Sequence, residues 1–201
     1  MNKNEIAPGI VIYNDVIPDG ENLYNDIEEA MESAQLPWVQ ARVQEGNDTP
    51  DTVNIMSRDT LTFGVPYLGG IKDTDVKNAH EVFFNTLNNI FFTNFDPIER
   101  DYKSMYQIES IWHDQWGVLK YGEGQKFVNH IDDHPEHHRR ISTLYYINDN
   151  YSGGEINFPR FNISHKPKAN QMILFPSTYV YNHSVSPVTE GTRYSVVSWL
   201  R

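Results

Sequence analysis

The 201-residue chain is 39% hydrophobic and 13% aromatic, which fits one globular domain with a sizeable core and excludes a disordered chain. Its formal net charge of −11 would repel a phosphate backbone, which sets nucleic acid aside as a partner. With no cysteine, disulfides and thiolate metal sites are excluded, so any metal must be held by imidazole and carboxylate.

The N-terminal apolar run, within MNKNEIAPGIVIYNDV, is too short for a signal peptide or a membrane span, so a cytoplasmic protein with no membrane partner is expected. Residues 10–14 (IVIYN) read as a first strand. In residues 19–34, Leu23, Ile27, Ala30, Met31 and Ala34 fall on one helical stripe, with Asp19 as N-cap. Trp38 to Val43 reads as extended, and residues 44–58 as a polar, mobile loop or lid, with substrate loops expected around 44–60 and 133–139. The clearest helix spans 75–95, with Val76, Ala79, Val82, Phe83, Leu87, Ile90 and Phe91 on one face. Asp96-Pro97 is expected to break it, since the residue before proline is pushed out of the helical region, and a shorter helix over 97–105 follows.

From Glu109 onward the pattern changes. Short runs rich in Val, Ile, Tyr, Phe and Trp recur near 111–121, 126–131, 140–147, 154–158, 171–175, 180–187 and 193–200, separated by Gly, Asn and Pro. Such spacing predicts an all-β barrel or sandwich, with the two helices packed outside it. One domain over 1–201 is expected: a helix-rich support region, 1–108, and a β core, 109–201.

Within the β core, NHIDDHPEHH crowds four histidines and three carboxylates into residues 129–138. Residues i and i+2 of a strand share a face, so His130 and Asp132 project together while Ile131 turns the other way into packing. His183, in YNHSVSPV, is the best third ligand. Two histidines and a carboxylate on one octahedral face is the ligand set of non-haem Fe(II) oxygenases, although imidazole and carboxylate also accept Mn(II). Chance alone can supply an HxD pair and a distant His in an acidic chain, so the neighbours matter. Arg193, Ser195, Val197 and Trp199 share one face of the last strand. An inward guanidinium needs an anion, and a carboxylate suits its planar fork, with the Ser195 hydroxyl adding to the same receptor.

His134, His137 and His138 read as a solvated loop after the metal-binding strand, at the rim where substrate is chosen, with Pro135 ending the strand. His80 reads as structural, His113 as a core residue supporting the site, and His165 as a strand-edge residue.

From Trp116 to Arg201, five ordered blocks (VLKYGEGQKFVNHID, RRISTLYYIND, YSGGEINFP, KPKANQMILFPS and NHSVSPVTEGTRYSVVSWL) resemble the Fe(II)- and 2-oxoglutarate-dependent dioxygenases, in particular the prolyl 4-hydroxylase-like branch. The short acidic chain looks like the stand-alone versions carried by microbes and their viruses, and for a viral protein the expected place is the host cytoplasm. The resemblance implies a double-stranded β-helix, or jelly roll. It implies iron held by His130, Asp132 and His183, and Arg193 paired with the distal carboxylate of 2-oxoglutarate. Tyr146 falls where the family places a tyrosine hydroxyl on that carboxylate, and Tyr121 where a tyrosine contacts the metal-bound end. Ser195 and Trp199 match residues lining the pocket, and Arg58 resembles a substrate-loop arginine. Many prolyl 4-hydroxylases carry Lys at the Arg193 position, which leaves the sub-branch open. Asn170 stands where many members have Gly, and Asn tolerates the positive φ of a turn there.

The activity implied is hydroxylation of an unactivated C–H bond, with O₂ consumed, succinate and CO₂ released, and ascorbate as a reductant. The first expectation for a substrate is a prolyl residue of a peptide or protein. The rivals are the same cofactors acting on a lysyl or other side chain, a free amino acid or a small molecule, and a non-catalytic cupin-like metal-binding module.

Overall fold

The computed structural model describes residues 2–18, 36, 38–43, 51–65, 79–109, 112–133 and 138–201, and in the helix the side chains from residue 84 onward. Its strands in chain order are β1 (Asn2–Ala7), β2 (Ile10–Asn14), β3 (Val39–Gln40) and β4 (Leu61–Val65). After helix α1 (Ala79–Met105) come β5 (Trp116–Tyr121), β6 (Phe127–His130), β7 (Ile141–Tyr146), β8 (Ser152–Gly153) and β9 (Ile156–Phe158). The last are β10 (Ile163–His165), β11 (Gln171–Pro176), β12 (His183–Val185), β13 (Val188–Glu190) and β14 (Arg193–Leu200).

These strands pair antiparallel into an eight-stranded sheet ordered β1-β2-β11-β7-β14-β5-β4-β3, a four-stranded sheet ordered β10-β9-β12-β6, and the pair β13-β8. Period-two alternation explains the layering. On β14, Tyr194, Val196 and Leu200 join an outer core with Phe91 and Phe95 of α1, while Val197 and Trp199 pack in an inner core with Ile156 and Phe158 of the small sheet. The same split divides Tyr145 from Tyr146 on β7 and Met172 from Ile173 on β11. Each fully buried large apolar side chain contributes roughly 1.5–3 kcal/mol. The result is the expected mainly-β jelly roll with a helix outside it, and the shared inward face of Arg193, Ser195, Val197 and Trp199 is observed.

Two expectations are corrected. Helix α1 does not break at Asp96-Pro97; it runs unbroken to Met105. A proline inside a helix costs about 3 kcal/mol or more. Here the ring is exposed on the solvent side, where water can serve the freed carbonyl of Thr93, and the buried stripe continues across it through Phe95, Ile98 and Tyr102. Ile131 does not turn into packing but stays 47% exposed, because β6 is the edge strand of the small sheet.

The expected helix over 19–34, the start of α1 before residue 79, loop residues 44–50 and the histidines His134 and His137 lie outside the described residues, as does the side chain of His80. His138 is exposed, with φ 45°. Strands β1, β4, β8, β10 and β13 go beyond the predicted set; all but β4 are short or largely exposed, and β4 buries only Phe63 and Val65. Residues before Ala79 thus supply four strands of the large sheet.

Candidate active site

The inner core opens on one cluster of ligand-type side chains. His130 ends β6, Asp132 follows two residues later, and His183 begins β12 as the register partner of His130. His130 Nε2 lies 3.4 Å from Asp132 Oδ1, and His183 Nε2 lies 3.7 Å from Oδ2. One ligand atom from each of the three lies within 4.8 Å of the others, an arrangement that can hold a metal ion. It is the only such group among the described residues. Facial ligands on one ion sit about 3 Å apart, so small side-chain rotations close this set.

Backbone carbonyls orient both imidazoles. Nδ1 of His130 faces the Val128 carbonyl at 2.9 Å, and Nδ1 of His183 faces the Tyr181 carbonyl at 3.1 Å. A carbonyl only accepts, so each Nδ1 carries the proton and each Nε2 presents its lone pair to the cluster. The Ser142 hydroxyl donates to Asp132 Oδ2 at 2.6 Å and contacts Ser177 Oγ at 2.8 Å. Burial alone would raise the Asp132 carboxyl; the His183 and His130 imidazoles and the Ser142 hydroxyl outweigh it and hold the group below the ordinary carboxylate range. Burial, with the neighbouring His130, pushes His183 down to about 4. Both shifts favour the protonation states a metal requires. Aromatic rings close the sides. Phe127 stacks on His130 at 3.5 Å between centroids, and Phe175 meets His183 edge-on at 4.8 Å.

A second feature lies in the same core. Arg193 is fully buried at the start of β14, opposite Tyr121 of β5. Its Nη1 donates to Ser195 Oγ at 3.2 Å, and Ser195 is the register partner of Tyr146. The guanidinium carbon is 4.9 Å from the Tyr121 ring centroid and 5.1 Å from that of Tyr146. Nε and Nη2 of Arg193 and the buried hydroxyls of Tyr146 and Tyr151 make no hydrogen bond of good geometry among the described residues, although both phenol oxygens lie close enough to interact with the guanidinium. Burial raises both phenols above their ordinary range, so each is an O–H donor at neutral pH. A buried cation surrounded by unsatisfied donors is the complement of a carboxylate.

The remaining expected residues flank the cluster. Trp199 stacks beneath Arg139, whose guanidinium carbon is 3.5 Å from the ring centroid and whose Nη1 reaches the Asp132 carbonyl at 3.4 Å. Arg58 forms a β-bridge with Phe127 and lies 4.8 Å from that ring, which puts it one aromatic layer from His130. Asn170 has the positive φ of 61° expected of a turn, and its side chain also clamps Ile17 through bonds of 2.9 Å to the backbone N–H and C=O. His113 is buried and paired with Glu99 of α1 at 3.0 Å, as a core residue. His165, on edge strand β10, contacts Gln171 at 3.2 Å. Ser142, Arg139 and Tyr151 were missed from sequence. Ser142 lies on the inward face of β7 with Tyr146, and that alternation was the available signal.

Comparison with known proteins agrees with this chemistry. Residues 116–201 match the 2OG-Fe(II) oxygenase superfamily. The match bears out the resemblance drawn from the five sequence blocks, and all three ligand-type residues and Arg193 fall inside it. A PKHD-type hydroxylase of Cupriavidus pinatubonensis is 32% identical over 94 residues, 41% of this chain and 40% of that one, so the alignment spans well under half of the relative. Two solved structures share the fold. A prolyl hydroxylase from Trichoplax adhaerens, in complex with a hypoxia inducible factor peptide fragment, superposes with TM-score 0.69 at 16% identity, covering 96% of this chain and 83% of that one. The viral collagen prolyl hydroxylase of Paramecium Bursaria Chlorella virus-1 gives 0.61 at 18%, covering 96% of each chain. The superfamily implies Fe(II), 2-oxoglutarate and O₂. No helix among the described residues is long and apolar enough to cross a membrane.

Proposed function

We propose that this protein is an Fe(II)- and 2-oxoglutarate-dependent dioxygenase that hydroxylates a prolyl residue of a peptide or protein in the cytoplasm. The observation that carries the chemistry is the pairing of the His130–Asp132–His183 cluster with the buried, anion-less Arg193 in one core. The prolyl substrate draws its support from the prolyl hydroxylases that share the fold.

The donor set fits the metal: two imidazole nitrogens and one carboxylate, with no sulfur and three positions left for other ligands. When bound, Fe(II) with 2-oxoglutarate and O₂ supplies the oxidation of an unactivated C–H bond to an alcohol, coupled to formation of succinate and CO₂. The chain's own residues prepare for it. His130 and His183 hold their protons on Nδ1 against the Val128 and Tyr181 carbonyls, which frees Nε2 for the metal. Ser142 fixes one oxygen of Asp132. Arg193, Ser195 and Tyr146 receive the distal carboxylate of the cosubstrate and so set the position of its other end, which Tyr121 contacts. Phe158, Phe175, Leu144 and Val197 supply dry walls. Trp199 and Arg58 flank the mouth and contact the substrate.

The test is conversion of 2-oxoglutarate to succinate with Fe(II) and ascorbate, alongside mass spectrometry of prolyl peptides for a +16 product. A product on lysyl peptides or a free amino acid instead would keep the cofactors and change the substrate. Tight metal binding without any succinate would favour a non-catalytic cupin-like module.

A further inference from the structure

We propose that Tyr151 is a further ligand for the distal carboxylate of the cosubstrate, and that Lys166 is the positioning residue that holds Tyr151 in place. This rests on the reading of the Arg193 end of the inner core as a 2-oxoglutarate site.

The donors around Arg193 include one that the expected residues do not account for, the Tyr151 hydroxyl. A carboxylate offers about four lone-pair positions. Four buried donor atoms lack a well-formed hydrogen bond among the described residues: Nε and Nη2 of Arg193 and the hydroxyls of Tyr146 and Tyr151, both of which lie beside the guanidinium. Ser195 has already taken Nη1. Without an anion in this pocket the Tyr151 hydroxyl is buried with only the Arg193 guanidinium beside it, a donor facing a donor.

The local backbone is shaped around this tyrosine. Gly154 has φ +66°, and a Cβ there would stand 2.9 Å from Tyr151 Cε2 and 3.0 Å from Arg193 Cδ. The ring edge and the guanidinium stem therefore meet across a gap that only glycine leaves open. At Gly153, φ is +72° and a Cβ would lie 2.2 Å from the Pro187 carbonyl oxygen. The two glycines allow the chain to turn tightly enough to present Tyr151 inward.

Lys166, from the loop after β10, locks that turn from outside. Its ammonium donates to the carbonyl of Tyr151 at 2.9 Å and of Gly153 at 2.6 Å, and lies 3.5 Å from the Tyr151 ring centroid. One side chain thus holds the backbone on both sides of Ser152 and covers the ring by a cation–π contact. Lys166 touches the carboxylate only through Tyr151.

The experiment is calorimetric titration of the Mn(II)-loaded protein with 2-oxoglutarate and, separately, with oxalate, which chelates a metal but has no distal carboxylate. Tyr151→Phe is expected to weaken 2-oxoglutarate by about tenfold or more, the loss of one hydrogen bond to a charged group, while oxalate and Mn(II) affinities stay unchanged. Lys166→Met should show the same selectivity with a smaller loss, restored by Lys166→Arg. Wild-type affinity for 2-oxoglutarate in Tyr151→Phe, or equal losses for 2-oxoglutarate and oxalate, would overturn the inference and leave the proposed function standing. A wild-type protein that binds Mn(II) but neither oxo ligand would overturn both.

Discussion

The two ends of the candidate site are built on opposite principles. At the metal end, satisfaction is nearly complete: each imidazole spends Nδ1 on a carbonyl, and the carboxylate is held by Ser142. At the other end, among the described residues, two nitrogens of a buried guanidinium make no well-formed hydrogen bond, and two buried phenols face it with no other partner. The first end is oriented before a ligand arrives; the second is strained by lost hydration until one does. Mutations should therefore act on stability with opposite signs at the two ends while abolishing function at both.

The largest effect is expected at the metal end. Asp132→Ala or His130→Ala removes a ligand, and succinate formation with Fe(II) should fall below detection. At the other end, Arg193→Met should weaken 2-oxoglutarate by about a hundredfold or more, yet raise the thermal midpoint of the ligand-free protein by roughly 2–8 °C, because a buried unpaired cation is replaced by an apolar chain. Scanning calorimetry checks the sign, and a lower midpoint would break the contrast. Ser142→Ala touches only the support of a ligand, so Mn(II) affinity should drop by about tenfold in a metal titration.

The smallest effect lies in pH dependence, and two histidines sharpen the comparison. Burial and its neighbour His130 depress His183 to about 4, below its unfolded value near 6.5. Between those values the unfolded chain binds more protons, so this contribution is present above about 6.5 and lost as pH falls through 4. His113 behaves oppositely. Burial lowers its pKa, but Glu99 and the Asp114 carbonyl outweigh burial and raise it. Its contribution is full below about 6.5 and is lost as pH rises through the raised value. Urea midpoints followed against pH should show both slopes, and His113→Gln should remove only the alkaline one.

Much of the site was legible because strand alternation is local. HID at the end of one strand and RYSVVSW within another place side chains by a period of two, the extended backbone carrying on past His130 to Asp132. The inward residues of β14 followed directly. What escaped depends on distant chain. Tyr151 matters because Gly154 brings it to Arg193 and Lys166 reaches back from the next loop. Arg139 matters because its guanidinium lands on Trp199, sixty residues later. Local rules also misled. Pro97 breaks an isolated helix, but burial of Phe95, Ile98 and Tyr102 against the sheet carries α1 through it. Ile131 alternates away from the ligands as expected, but β6 is an edge strand, and that face stays open.

The central claim is that one core couples a metal to 2-oxoglutarate for C–H oxidation. Succinate release from 2-oxoglutarate, measured with and without Fe(II) in the presence of a prolyl peptide library, tests it most directly. Iron-dependent succinate in the wild type, absent in His130→Ala and Arg193→Met, is the predicted result. A folded, metal-binding wild type that releases no succinate, coupled or uncoupled, would contradict it.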